Sequence, residues 1–185
     1  MVIHHRKQIR LKKYDYSLSG YYFLTICTKN RQEYFGNIID NKIVLNKYGE
    51  IVEKCWLDIP KHFNNVELDE FVIMSNHIHG IVIIVGARSS RPTSSHPILG
   101  QIIGYFKYQS TKYINDLIMG SFVNKGSEDP TPTGKHKFKQ IFQRNYHEHI
   151  IRNGYELNRI RQYIRNNPKN WDEDRNNLKI NKKLL

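Results

Sequence analysis

Cysteine and acidic side chains are scarce in this sequence, long apolar runs are missing, and each shortage excludes something. The two cysteines, Cys27 and Cys55, lie far apart and lack the close spacing of a metal or redox motif. One disulfide is arithmetically open, but without an export signal the pair reads as two reduced core thiols. No run of about 18 apolar residues occurs, so no transmembrane helix is expected. The charged N-terminus is not followed by an apolar segment, so no secretory signal is expected either. Asp and Glu number 17 against 29 Lys and Arg, which sets the formal charge at +12 and the pI near 9.7. What is present is 39% hydrophobic and 12% aromatic residues over 185 positions, which argues against disorder and suffices for one core. The expectation is a single soluble, basic, cytoplasmic domain.

A positive surplus of this size favours a polyanion, and nucleic acid is the usual one. Counterion release on phosphate binding is independent of base sequence, so charge implies binding without readout. An N-terminal arm over residues 1–19 carries Arg6, Lys7, Arg10, Lys12 and Lys13 as candidate DNA contacts. A tail over residues 173–185 is also basic, with Lys179, Lys182 and Lys183. The plainer reading of either arm is a solvated terminus.

Between them, residues 20–172 read as one folded unit. Residues 20–28, rich in aromatic and β-branched side chains, predict a strand, and residues 42–45 a shorter one. Asn46 caps a helix over 47–59, with Ile51, Val52, Cys55, Trp56 and Ile59 at helical spacing and Pro60 as its stop. Residues 70–85 predict one long strand, or two joined near Ser75-Asn76. A loop follows at 86–97. A second helix spans 98–117, with Leu99, Ile102, Ile103, Phe106, Tyr113 and Leu117 for its buried side. Another loop covers 120–137, a last strand 138–146, and a third helix residues 154–167 before Pro168. Antiparallel strands with helices packed on them make an α+β domain, nearest to the split β-α-β plan.

Three clusters carry chemistry. In His77-Ile78-His79, strand alternation sends both imidazoles to one face, with Cα atoms roughly 6.6 Å apart, close enough to converge on one metal. The bland alternative is two polar residues on a half-exposed strand. His147-Glu148-His149 has the same spacing, but the segment reads as leaving a strand for a helix, where i and i+2 part company. In the third helix, Leu157, Ile160 and Ile164 form the buried stripe, and Tyr163 lies beside it. Arg159 precedes Tyr163 by one turn and Asn167 follows by one, while Arg161 and Arg165 face away. A tyrosine at the core edge and an asparagine closing a helix would account for that pattern too.

Taken in order, Tyr14-Asp15-Tyr16-Ser17 before the 20–28 strand, Met74-Ser75-Asn76-His77-Ile78-His79-Gly80, the run Phe142 to Asn153, and Ile160-Arg161-Gln162-Tyr163-Ile164-Arg165-Asn166-Asn167-Pro168 resemble the REP-associated tyrosine transposases. These belong to the HUH single-tyrosine transposases of bacterial insertion sequences. The likeness covers roughly residues 6–172. Ser75 departs from it, standing where the family usually has Pro.

The resemblance implies a central antiparallel sheet flanked by helices, the ferredoxin-like or RRM-like HUH nuclease fold. His77 and His79 match the paired metal ligands, Tyr163 the nucleophile, and Asn167 the polar residue that completes the metal site. The implied activity is metal-dependent cleavage and rejoining of single-stranded DNA at hairpin, REP-type sites through a 5′-phosphotyrosine. Two imidazoles and an amide oxygen, leaving positions open for phosphate and water, suit Mg²⁺ or Mn²⁺. Arg159 is a candidate phosphate contact, and Tyr105, Tyr108, Tyr146 and Trp171 are candidate base-stacking rings. Monomers and homodimers are both open. Two rival readings remain: a domesticated protein that binds DNA hairpins without cutting them, and a metal-dependent hydrolase that uses water and dispenses with Tyr163.

Overall fold

The computed structural model describes residues 18–85, 98–123 and 139–178. Strand β1 (Gly20–Cys27) leads into a hairpin of β2 (Gly36–Ile39) and β3 (Lys42–Leu45). Asp40 and Asn41 at the hairpin tip both take positive φ, the geometry a two-residue turn needs to match strand twist. Helix α1 (Lys47–Leu57) starts where the Asn46 side chain accepts from the Tyr48 and Gly49 amides. A short helix α2 (Ile59–His62), strands β4 (Val66–Ile73) and β5 (His77–Ile84), helix α3 (Leu99–Val123), strand β6 (His147–Ile151) and helix α4 (Gly154–Asn166) complete the order.

Four strands form one antiparallel sheet in the order β4-β5-β1-β6. The expected α+β architecture is therefore present. Strand alternation divides the core in two. Tyr22, Leu24 and Ile26 of β1, with Ile78, Val82 and Ile84 of β5, join the cluster that includes Trp56, Leu99, Ile102, Ile103 and Phe106. Ile81 and Ile151, from the opposite sheet face, pack with Ile160 and Ile164 of α4. The second face also carries His77 and His79, so α4 covers the candidate site. Two ion pairs pin that helix to β4: Arg161 Nε and Nη2 donate to the Asp69 carboxylate at 2.8 and 2.5 Å, and Arg165 Nε donates to Glu70 at 2.7 Å.

Several expectations are corrected. Helix α1 stops at Leu57, short of the expected 59, and Pro60 lies inside α2 near its first position, where its missing N–H costs nothing. Helix α3 runs on to Val123, into residues expected to be loop. Phe106 is buried as expected, but Tyr113 is exposed, and Ser110 and Ile114 carry the buried line on in its place. The last strand is not 138–146. Within that span, Phe142 makes only an isolated bridge to Thr28. The carbonyls of Gln143 and Asn145 accept from Lys107 Nζ on α3 at 3.0 and 3.2 Å, so they face a helix instead of a strand partner.

The strand begins at His147, pairing Thr25 with His147 and Phe23 with His149. His147 and His149 therefore do share a face, contrary to the sequence reading. Beyond residue 172, Asp174, Asn176 and Asn177 are buried. Residues 1–17, 86–97, 124–138 and 179–185 lie outside the described residues.

Candidate active site

His77 and His79 sit at the start of β5, buried at 0% and 1% exposure beneath α4 and the turn after it. Each imidazole has one nitrogen engaged. His77 Nδ1 lies 2.9 Å from Asn76 Oδ1, and His79 Nδ1 lies 3.0 Å from Thr25 Oγ1, its cross-strand neighbour. With those nitrogens held, Nε2 of each ring is left for the site. His79 Nε2 lies 3.2 Å from the Tyr163 hydroxyl on α4. The Phe23 ring touches both, stacked on His79 and edge-on to Tyr163. Tyr163 as a residue keeps 42% of its surface exposed, and it lines the cavity that adjoins the histidines.

Asn167 caps α4 and turns its side chain inward, at 2% exposure. Its Nδ2 donates to Asp174 Oδ2 at 2.9 Å. Asp174 follows the short turn Trp171–Glu173, and its Oδ2 lies 4.0 Å from His77 Nε2. Trp171 stacks on His77 with ring centroids 6.0 Å apart, so it serves the core and is not a free base-stacking platform. Tyr108, at 64% exposure, is the most open of the ring candidates, and Tyr105 stacks on His62.

Burial sets the electrostatics. It pushes His77 down to about 3 from the usual 6.5 and holds His79 well below that value, so both rings stay neutral at physiological pH. Neutral imidazole is the metal-ligating form. Burial raises the Tyr163 phenol, with the Asp174 carboxylate adding to the rise and Arg175 opposing it. Burial likewise raises the Cys27 thiol, which leaves it protonated and a poor metal ligand.

These residues fit a divalent cation. One donor atom from each of His77, His79 and Asp174 lies within 4.8 Å of the others. His77 Nε2 and Asn167 Oδ1 are both buried without a hydrogen-bond partner. Orphaned buried acceptors are costly, and two of them beside a carboxylate mark a position where a cation would repay the burial.

Beside the site lies a cavity of about 350 Å³ lined by Phe23, His79, His147, His149, Arg159, Ile160, Tyr163 and Arg175. The structure thus brings His77, His79, Tyr163, Asn167 and, at the rim, Arg159 into one place. Arg6, Lys7, Arg10, Lys12 and Lys13 lie outside the described residues. Sequence reasoning missed Asp174 and Arg175, which follow the recognisable helix and have no spacing that marks them. It discounted His147 and His149 as a ligand pair, keeping them only as candidate phosphate contacts, because their strand β6 does not show in the sequence pattern.

Set beside known proteins, the chain matches no family model. A protein of Haemophilus influenzae, described as uncharacterized, is 38% identical over 185 residues, spanning 93% of each chain. The chain belongs to one family with that protein. Among solved structures, a REP-associated tyrosine transposase bound to a REP hairpin aligns with a TM-score of 0.54 at 17% identity, covering 86% of this chain and 72% of that one. The chain therefore shares the fold of that transposase, to whose group the sequence motifs bear a resemblance. No helix among the described residues is long and apolar enough to cross a membrane.

Proposed function

We propose that this protein is a single-strand DNA endonuclease and strand transferase of the tyrosine transposase type, acting on hairpin-bearing DNA. The observation that carries the reading is the 3.2 Å approach of the Tyr163 hydroxyl to Nε2 of His79, a contact that joins α4 to the buried histidine pair on β5. A half-buried tyrosine commonly finds a partner for its hydroxyl; what favours a nucleophile is the place of this one, directly over the histidine pair that would hold the cation. The hairpin held by the structural relative, and the +12 charge of this chain, support DNA as the substrate.

His77, His79 and Asn167, with Asp174 beside them, would hold Mg²⁺ or Mn²⁺. Bound there, the cation would supply charge neutralisation at a non-bridging phosphate oxygen. The chain's own residues do the rest. The Phe23 ring holds the phenol edge-on, and Arg159 at the rim of the cavity offers a cation to the phosphate. Tyr163 Oη bonds to phosphorus as the bond from phosphorus to the 3′ oxygen breaks. The phenolic proton is lost to solvent, and the departing 3′ oxygen takes one up. The products are a 5′-phosphotyrosine and a free 3′-OH. Because the phosphoester energy is retained, attack by another 3′-OH rejoins the strand and restores the phenol.

Tyr163 meets His79 of its own chain, so one subunit contains every group named. A domesticated hairpin binder would keep the basic surface without needing this assembly.

Labelled single-stranded oligonucleotides carrying a hairpin and its flanks test the reading. With Mn²⁺ they should be cut, and EDTA or His77→Ala should abolish the cutting. Binding without cleavage under any divalent cation would favour the non-cleaving protein, and cleavage that survives Tyr163→Phe would favour the hydrolase.

A further inference from the structure

Resting on the metal reading above, we infer that Asp174 is a positioning residue that fixes which atom of Asn167 faces the histidines. A carboxylate accepts hydrogen bonds and donates none. The Asn167 atom 2.9 Å from Asp174 Oδ2 must therefore be the amide nitrogen. That leaves Asn167 Oδ1 buried and without a geometric hydrogen-bond partner, on a side chain that neighbours His77, whose Nε2 is likewise unpartnered. An asparagine side chain is close to symmetric in shape, and sterics alone would not choose between its two ends. Turned over, it would present an N–H to the cation and repel it. Asp174 makes the choice.

Asp174 is itself held at its side chain and at its backbone. Asp174 Oδ1 accepts from the Asn176 amide at 2.6 Å, and the Asp174 carbonyl accepts from the Asn177 amide at 2.8 Å. Asn76 then ties this turn to the histidine strand: its Nδ2 donates to the Asn176 carbonyl at 2.9 Å while its Oδ1 faces His77 Nδ1. One hydrogen-bonded loop thus runs from His77 through Asn76, Asn176, Asp174 and Asn167 back to the metal pocket. The turn at 174–177 belongs to the site, although no motif points to it.

Partners that orient a ligand typically change metal affinity by roughly 10–100-fold when removed. The test measures Mn²⁺ affinity of the full chain by the loss of the free-ion EPR signal, with thermal unfolding as the control for folding. Asp174→Asn keeps the shape but allows an N–H to face Asn167 Oδ1, so the amide turns. It should lose about tenfold or more in Mn²⁺ affinity. Asn167→Ala should lose a similar factor, and the double variant Asp174→Asn with Asn167→Ala should bind no more weakly than either single one. Asn167→Asp in the Asp174→Asn background should restore binding, because a carboxylate presents oxygen in both directions.

Losses that multiply in the double variant would make Asp174 an independent ligand and overturn the inference. So would wild-type affinity in Asn167→Ala. His77→Ala separates the two layers: if it binds Mn²⁺ as the wild type does, the metal reading itself fails and this inference falls with it. If only His77→Ala loses binding, the metal reading stands and the positioning role is refuted.

Discussion

The Tyr163 hydroxyl and the His79 imidazole, 84 residues apart in sequence, meet at 3.2 Å across the boundary between α4 and the central sheet. Neither is held by chance: His79 is fixed behind by Thr25, and Tyr163 is braced by Phe23. Tyr163→Phe removes the hydroxyl alone and keeps the ring against Phe23. Strand cleavage should fall by at least three orders of magnitude, while hairpin affinity in a filter-binding assay stays within about twofold. A proportional loss of binding would assign Tyr163 to recognition.

Acid should weaken the metal-free protein through the buried histidines. His77 and His79 are held below their ordinary 6.5 in the fold, whereas in the unfolded chain they titrate near that value. Below pH 6.5 the unfolded state takes up the protons the folded state refuses. Stability therefore drops as pH falls below 6.5, for His77 down to about 3, by up to about 1.4 kcal/mol per pH unit for each histidine. Above 6.5 neither ring contributes. Urea unfolding at a series of pH values should show the slope, and His77→Gln should flatten it.

Gly80 sits in β5 against the face of Trp56. A Cβ built there would come 2.4 Å from Trp56 Cζ2, and Trp56 is wedged between Phe71 and Phe106 with no exposed surface. Gly80→Ala should destabilise the fold by about 1–3 kcal/mol through overpacking. Chemical unfolding measures it, and an unchanged midpoint would mean that the indole has room to move.

Arg161 grips Asp69 with two parallel bonds, and that grip is the main cause of the lowered Asp69 carboxyl. The pair is partly open to solvent, so Arg161→Ala should cost only about 1 kcal/mol of stability. Because α4 also carries Tyr163, cleavage should slow more than Mn²⁺ binding weakens. Equal losses in both would show that the pair supports the whole site instead of the helix.

Much of this arrangement is legible in the sequence where periodicity carries it. Alternation along β5 puts His77 and His79 on one face. The 3.6-residue repeat of α4 puts Tyr163 beside its buried stripe, with Asn167 one turn on. Strand β6 was hidden because an edge strand needs few apolar residues: His147, Glu148 and His149 look like a polar exit from the sheet, and only pairing with β1 reveals them as part of it. Asp174 was hidden for a different reason. It acts through one hydrogen bond formed by a turn, and a turn imposes no repeat on its neighbours. The tail was read by its charge, which says nothing of the buried Asn176 and Asn177.

The covalent link is the most direct test of the account. Protein incubated with Mn²⁺ and a hairpin oligonucleotide, digested with nuclease and protease, should yield by mass spectrometry a peptide bearing a nucleotide phosphate on Tyr163. Cleaved DNA with no such peptide, or with the phosphate on another side chain, would contradict it.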